Sequence, residues 1–267
     1  MGAAPILSDE IVATSHKQPA EARLRDLLLM ALTVSSGAID AISFLALGKV
    51  FTAFMTGNIV FLGLLVAGAG GPDLVAVLLA MLAFGAGIYV SACIVESSEV
   101  SGLWPARVTV ALGLSLLAHA GFLAVWLASD GQPSADATYV LLCLGALAMG
   151  MQSAAVKRLQ VEGVFTTAAT ATVIFLVECF VAWPVTAAAR RRLAGVVVAL
   201  FVGATAGGLL LVHAPLYAPV LPLLITFAVV VTAGIALRNA TQRPAGSVNE
   251  SVERGVSRSF RKQEKQS

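Results

Sequence analysis

Charge is scarce in this 267-residue chain: Asp, Glu, Lys and Arg make up 12% of it against 58% apolar residues, and mean hydropathy is +0.89. A soluble domain is roughly one quarter charged, so a soluble enzyme, a disordered chain and a secreted scaffold are excluded. Cysteine is scarce too. Cys93, Cys143 and Cys179 each lie inside an apolar run, with no CxxC spacing and no neighbouring histidine, which excludes a disulfide framework and a zinc site. The three histidines, at 16, 119 and 213, are too scattered for a metal cluster. HExxH, GxSxG, Walker A and GxGxxG-with-acid patterns are missing, so neither catalysis nor a cofactor is expected. Long polar connections are also lacking: the longest, SDGQPSAD at 129–136, has eight residues, too few for a soluble domain. The first residues lack the basic start, apolar core and cleavage site of a signal peptide, so the first apolar segment is expected to act as an uncleaved anchor.

What the chain does contain is apolar length. Eight stretches, at about 27–47, 50–69, 73–95, 106–128, 137–156, 164–182, 192–213 and 217–237, are bounded by charge, Gly or Pro, and each is long enough for a helix. Residues 27–237 hold 15 charges in 211 positions, while the ends hold 17 in 56. The expected layout is a polar cytoplasmic segment at 1–26, a membrane half at 27–128, a linker at 129–136, a second half at 137–237 and a basic cytoplasmic tail at 238–267. A single short basic tail is too little for a nucleic-acid partner.

The halves carry matching text. VFTAFMTGNIVFLG (50–63) and VFTTAATATVIFLV (164–177) share six identities at an offset of 114, and SGAIDA (36–41) pairs with MGMQSA (149–154) after a one-residue indel. Topology then turns on the basic residues. Eight spans would put Lys49, Arg107, Lys157 and Arg158 outside and 13 basic residues inside, whereas six spans leave only Lys49 outside against 16 inside. The positive-inside rule prefers six. The expected class is therefore an all-α integral membrane protein of two related halves, six spanning helices plus two re-entrant or broken Thr-rich segments, with eight spans as the alternative. Three crossings per half force the halves into opposite orientations. The two Thr-rich segments would then enter from opposite faces and mark a polar midplane site, because non-helical backbone at depth needs protein or water partners.

Few residues can carry chemistry in such a chain. Asp40 stands inside the first apolar segment, where a carboxylate costs about 2.5–3.5 kcal/mol on insertion scales unless it is paired or protonated, and it is the candidate ion or proton partner on the pathway; capping the following turn or meeting Lys49 is its bland alternative. Thr56, Gly57 and Asn58 combine backbone freedom with hydroxyl and amide partners, as a broken helix needs. In the second half Gln152, Thr166, Thr167 and Thr170 hold corresponding places, and His119 and Glu178 are candidate proton or ion partners. Gly203 and Gly207 form a GxxxG contact motif, and Arg190–Arg192 an orientation signal.

With SGAIDAISFLALGKVFTAFMTGN (36–58) and GMQSAAVKRL (150–159) quoted, the chain resembles the YoaK-like family of bacterial inner-membrane proteins, a domain-of-unknown-function family, over about 27–237. Gly37, Asp40 and Ala41 carry its GxxDA run, and Thr56, Gly57 and Asn58 its TGN. Gly150, Gln152, Ala154, Ala155 and Arg158 suit its G-x-Q-N-A-A run and basic residue, although Ser153 stands where Asn is usual and TAT at 170–172 where Thr-Gly is usual. The resemblance implies a multi-pass protein of the bacterial inner membrane with both termini cytoplasmic, and implies no substrate.

The residues themselves lead to a small-solute secondary transporter or channel-like permeation protein. Its partners would be the lipid bilayer, an unidentified solute or ion and, compatibly, further copies in a homo-oligomer. A non-transporting scaffold acting through its cytoplasmic tail is the alternative.

Overall fold

The computed structural model describes residues 5–96, 103–161, 166–167, 169–181 and 187–237, with the backbone alone at 5–19, 169, 171, 179–181 and 237; the tail at 238–267 lies outside the described residues. Every regular element among these is helical. Six helices are long and apolar enough to cross a bilayer: α1 (Pro5–Ala46, its apolar part being Ala20–Ala46), α3 (Leu74–Glu96), α4 (Ala106–Ala128), α5 (Ala135–Lys157), α7 (Ala187–His213) and α8 (Val220–Thr232) with its flanks. Two are short, α2 (Met55–Val66) and α6 (Ala169–Val181). At 1.5 Å per residue, 12 or 13 residues reach about 18–20 Å, short of the roughly 30 Å hydrocarbon core. Among the described residues, then, six helices are of spanning length and two, α2 and α6, are short and Thr-rich.

Local chemistry sets the breaks. α1 stops where Gly48 and Lys49 adopt left-handed conformations (φ 80° and 63°), which end a helix. α2 stops at a second left-handed glycine, Gly68 (φ 69°), with the Gly68 and Ala69 amides closing on the carbonyls of Leu65 and Leu64. Asp73 caps α3 by accepting from the Ala76 amide (3.0 Å) and also takes the Tyr139 hydroxyl of α5 (2.9 Å). These two bonds, the amide first, hold its carboxyl below the usual carboxylate range.

The bundle has a basic end and a far end. At the basic end Arg192 of α7 lies 3.5 Å from Asp26 of α1, and Arg107 of α4 donates to the Ile94 carbonyl of α3. At the far end, beside the Asp73–Tyr139 bond, Trp126 of α4 donates to the Pro215 carbonyl between α7 and α8 (3.1 Å). Apolar side chains form one cluster toward each end: Leu29, Leu32, Leu112 and Val196 in one, Ile39, Val77, Phe122 and Leu141 in the other. Buried polar residues, among them Ser35, Ser36, Ser115, His119 and Thr226, lie along the helices between.

Helix pairing crosses the two halves of the chain. α1 packs most extensively on α7, and α5 on α3. Both seams are built by glycines that let backbones touch, as small residues do in bilayers. A Cβ on Gly37 would strike the Leu200 carbonyl and Ala204 amide of α7; a Cβ on Gly150 would strike the Phe84 carbonyl and Ile88 amide of α3. From the other side, Gly203 abuts the Val34 carbonyl and Gly87 the Leu147 carbonyl. A shift of 113 residues from α1 to α5, together with 116 from α3 to α7, carries one set of contacts onto the other.

Gly150→Ala and Gly203→Ala should each destabilise the protein by about 1–3 kcal/mol, because neither opposing backbone can step aside. Gly85→Ala on α3 has no atom within 4 Å of the new methyl. It should be neutral or stabilising by up to about 1 kcal/mol. Thermal unfolding of detergent-solubilised variants checks the contrast, and equal midpoints for Gly150→Ala and Gly85→Ala would remove the seam.

Candidate functional site

After α1 the chain does not leave the bundle. Residues 47–54 turn back along α1 until the Thr52 and Ala53 amides meet the Asp40 carboxylate, whose Oδ1 accepts both (2.9 and 2.7 Å) as well as the Thr52 hydroxyl (3.2 Å). Asp40 lies six residues before the end of α1, so the tip of this segment sits about 9 Å below it. α2 begins there and runs back toward the far end. The carboxylate does two jobs: it supplies the acceptor for bent, non-helical backbone at depth, and it places negative charge at the N-terminus of α2, which has no side-chain cap of its own.

The TGN motif completes the turn. Asn58 is buried, and its side-chain amide clasps both backbone groups of one residue, accepting from the Phe51 amide (3.1 Å) and donating to the Phe51 carbonyl (2.7 Å). Gly57 makes room for rings, since a Cβ there would touch both Phe54 and Phe51. Toward the far end, Phe51 stacks on Phe44 of α1 (4.9 Å between centroids) and on Phe61 of α2 (6.0 Å) and meets Phe54 edge-on. The four rings form one aromatic cluster between α1 and α2. Thr56 is exposed and takes no part in the clasp.

Among the described residues of the second half, weaker groups hold a comparable set of bonds. Gln152 donates to the Leu32 carbonyl of α1 (3.1 Å) and to the Thr166 hydroxyl (3.4 Å), while Ser153 meets the Thr167 hydroxyl (2.9 Å). These bonds join residues 14 apart, where Asp40 joins residues 12 and 13 apart. Thr172 stands where the repeat places Asn58, and its buried hydroxyl has no partner among the described residues. Residues 162–165 and 168, inside the second Thr-rich string, lie outside the described residues.

Between α3 and α5 lies a cavity of about 530 Å³. It reaches from Glu96, Lys157 and Arg158 at the basic end to both tips: Ala53 and Thr56 of the first, Thr166 and Thr167 of the second. Ser153 lines it as well. Of the residues singled out in the sequence, Thr56, Thr166 and Thr167 therefore face one space. Asp40, Gly57, Asn58 and Gln152 support the tips from behind it. Thr170 and Glu178 are exposed on α6 and do not line the cavity. His119 is buried on α4, with Nδ1 2.9 Å from the Ser115 carbonyl and Nε2 unpartnered among the described residues; it does not line the cavity either. The aromatic cluster around Phe51 and the lining residues of α3 were missed by sequence reasoning. No group of three His, Cys, Asp or Glu able to hold a metal exists among the described residues.

Six apolar spans with two short helices returning to their own side define a multi-pass α-helical membrane protein. Residues 28–232 match the family described as a protein of unknown function (DUF1275), and the chain belongs to that family. It is 35% identical over 157 residues to the UPF0700 transmembrane protein YoaK of Bacillus subtilis (strain 168), which covers 59% of this chain and 68% of that protein. No solved structure matches.

Proposed function

We propose that the protein is a small-solute permeation protein of the secondary-transporter kind, built from two inverted halves and seated in the bacterial inner membrane with both termini and its basic end cytoplasmic. The observation that carries this reading is the cavity running from the basic end to the tips of both short-helix segments. Broken helices meeting at a polar space within the bilayer are how such proteins present backbone and hydroxyl groups to a solute. The matched glycine contacts of α1–α7 and α5–α3 support the inverted halves. The crowding of Arg and Lys at one end supports the orientation. The cavity is then open to the cytoplasm, with the phenylalanine cluster closing the outer side.

Asp40 acts in this reading as a positioning residue for the first tip, and Thr56 faces the path. In liposomes, Thr56→Trp should fill the cavity and abolish solute uptake while leaving gel-filtration elution and the thermal midpoint unchanged. Wild-type uptake by that variant would remove the cavity from the path.

A further inference from the structure

We infer that the deep end of the cavity receives the uncharged hydroxyl or amide head of a small amphipathic solute. The inference deepens the permeation reading and rests on it for what passes, though the site can be probed by binding alone. It follows from where each hydroxyl proton goes. The Ser153 hydroxyl donates to the Met149 carbonyl (2.7 Å), so its single proton is committed. The Thr167 hydroxyl, 2.9 Å away, must then be the donor in the Ser153–Thr167 pair, which leaves the Thr167 oxygen with lone pairs to offer. Thr166 is the reverse. Its oxygen accepts from Gln152, and its proton has no acceptor among the described residues.

Adjacent Thr166 and Thr167 thus present one donor and one acceptor, the pattern complementary to a hydroxyl or a primary amide. A formal charge would find no counterpart there. Glu96, Lys157 and Arg158 line only the mouth, at the ends of α3 and α5, and the Asp40 Oδ1 is occupied by the first tip. Burying an unpaired charge costs far more than burying a satisfied polar group. The remaining wall, including Met55, Phe84, Ile88 and Val156, is apolar and suits a hydrocarbon body.

The test uses full-length protein in detergent with Cys93, Cys143 and Cys179 replaced by alanine and a single cysteine at the lining position Ala92. The rate of its alkylation by N-ethylmaleimide is measured with three ligands of one skeleton: 4-methylpentanamide, 4-methylpentanoate and 4-methylpentylammonium. The amide at about four times its Kd should slow alkylation about fivefold. The two ions should not, and Thr167→Val should abolish protection while Thr167→Ser keeps it. Protection by either ion equal to that by the amide, protection surviving Thr167→Val, or no protection by the amide overturns the inference. Liposome flux is scored separately: protection by the amide without any flux leaves the site standing and overturns the permeation reading instead.

Discussion

Asp40→Ala should lower stability by about 3 kcal/mol and loosen the first tip, whereas Asp40→Asn should cost about 1 kcal/mol. Three donors converge on one carboxylate oxygen: the Thr52 and Ala53 amides and the Thr52 hydroxyl. Alanine leaves all three without an acceptor, and the bent, non-helical backbone at this depth has no ladder or helix to turn to. Each orphaned group costs about 1–3 kcal/mol when fully buried; Asp40 is only half-buried, so water reaching the cut reduces the sum. Asparagine retains the accepting oxygen and loses only the charge that strengthens the bonds and complements the start of α2. Unfolding midpoints of the two variants in one detergent check the ranking. Equal midpoints for Asp40→Ala and the wild type would mean that the carboxylate does not hold the tip.

Asn58 offers a sharper contrast, because its role needs both halves of an amide. Asn58→Asp can still accept from the Phe51 amide, but it sets a carboxylate oxygen against the Phe51 carbonyl that Nδ2 now approaches to 2.7 Å. Asn58→Leu keeps the volume and satisfies neither group. Both should destabilise by about 2–4 kcal/mol, the cost of leaving buried peptide groups unpaired. Both should also disturb the phenylalanine cluster, since Phe51 is its hub. A thermal midpoint for Asn58→Asp at the wild-type value would show that acceptance alone is enough and that the two-sided clasp is not what fixes Phe51.

The six spans were legible because the bilayer imposes a length and the basic residues an orientation, and both are properties of sequence. Asp40 and Asn58 were legible as exceptions for a related reason: each polar side chain in an apolar run needs a partner. The kind of partner was legible too, a turn for Asp40 to cap and freed backbone for Asn58 to meet, but not which residues supply it. A carboxylate at position 40 meets amides at 52 and 53 only because Gly48 and Lys49 turn the chain back on itself, and no periodicity encodes that return. The crossed pairing of α1 with α7 and α5 with α3 was hidden too. Gly203 and Gly207 announce a contact by their spacing, but Gly37, Gly87 and Gly150 stand singly and gain meaning only opposite a neighbouring backbone. Thr170 and Glu178 looked equivalent to their neighbours in sequence. The helical turn of α6 leaves them exposed, while Thr166 and Thr167, lying before the helix, face the cavity.

In the permeation reading proposed above, a water-accessible path runs from the basic end, facing the cytoplasm, to the first tip and is closed beyond it. A single cysteine at Thr56, in a background lacking the three native cysteines, is labelled in inside-out and right-side-out vesicles by an impermeant methanethiosulfonate whose cationic group trails the reactive sulfur toward Glu96 at the mouth. The account predicts that the cytoplasmic rate exceeds the external one by about tenfold or more, equivalent to about 1.4 kcal/mol in accessibility. A faster reaction from the outside, or none from either side, would contradict it.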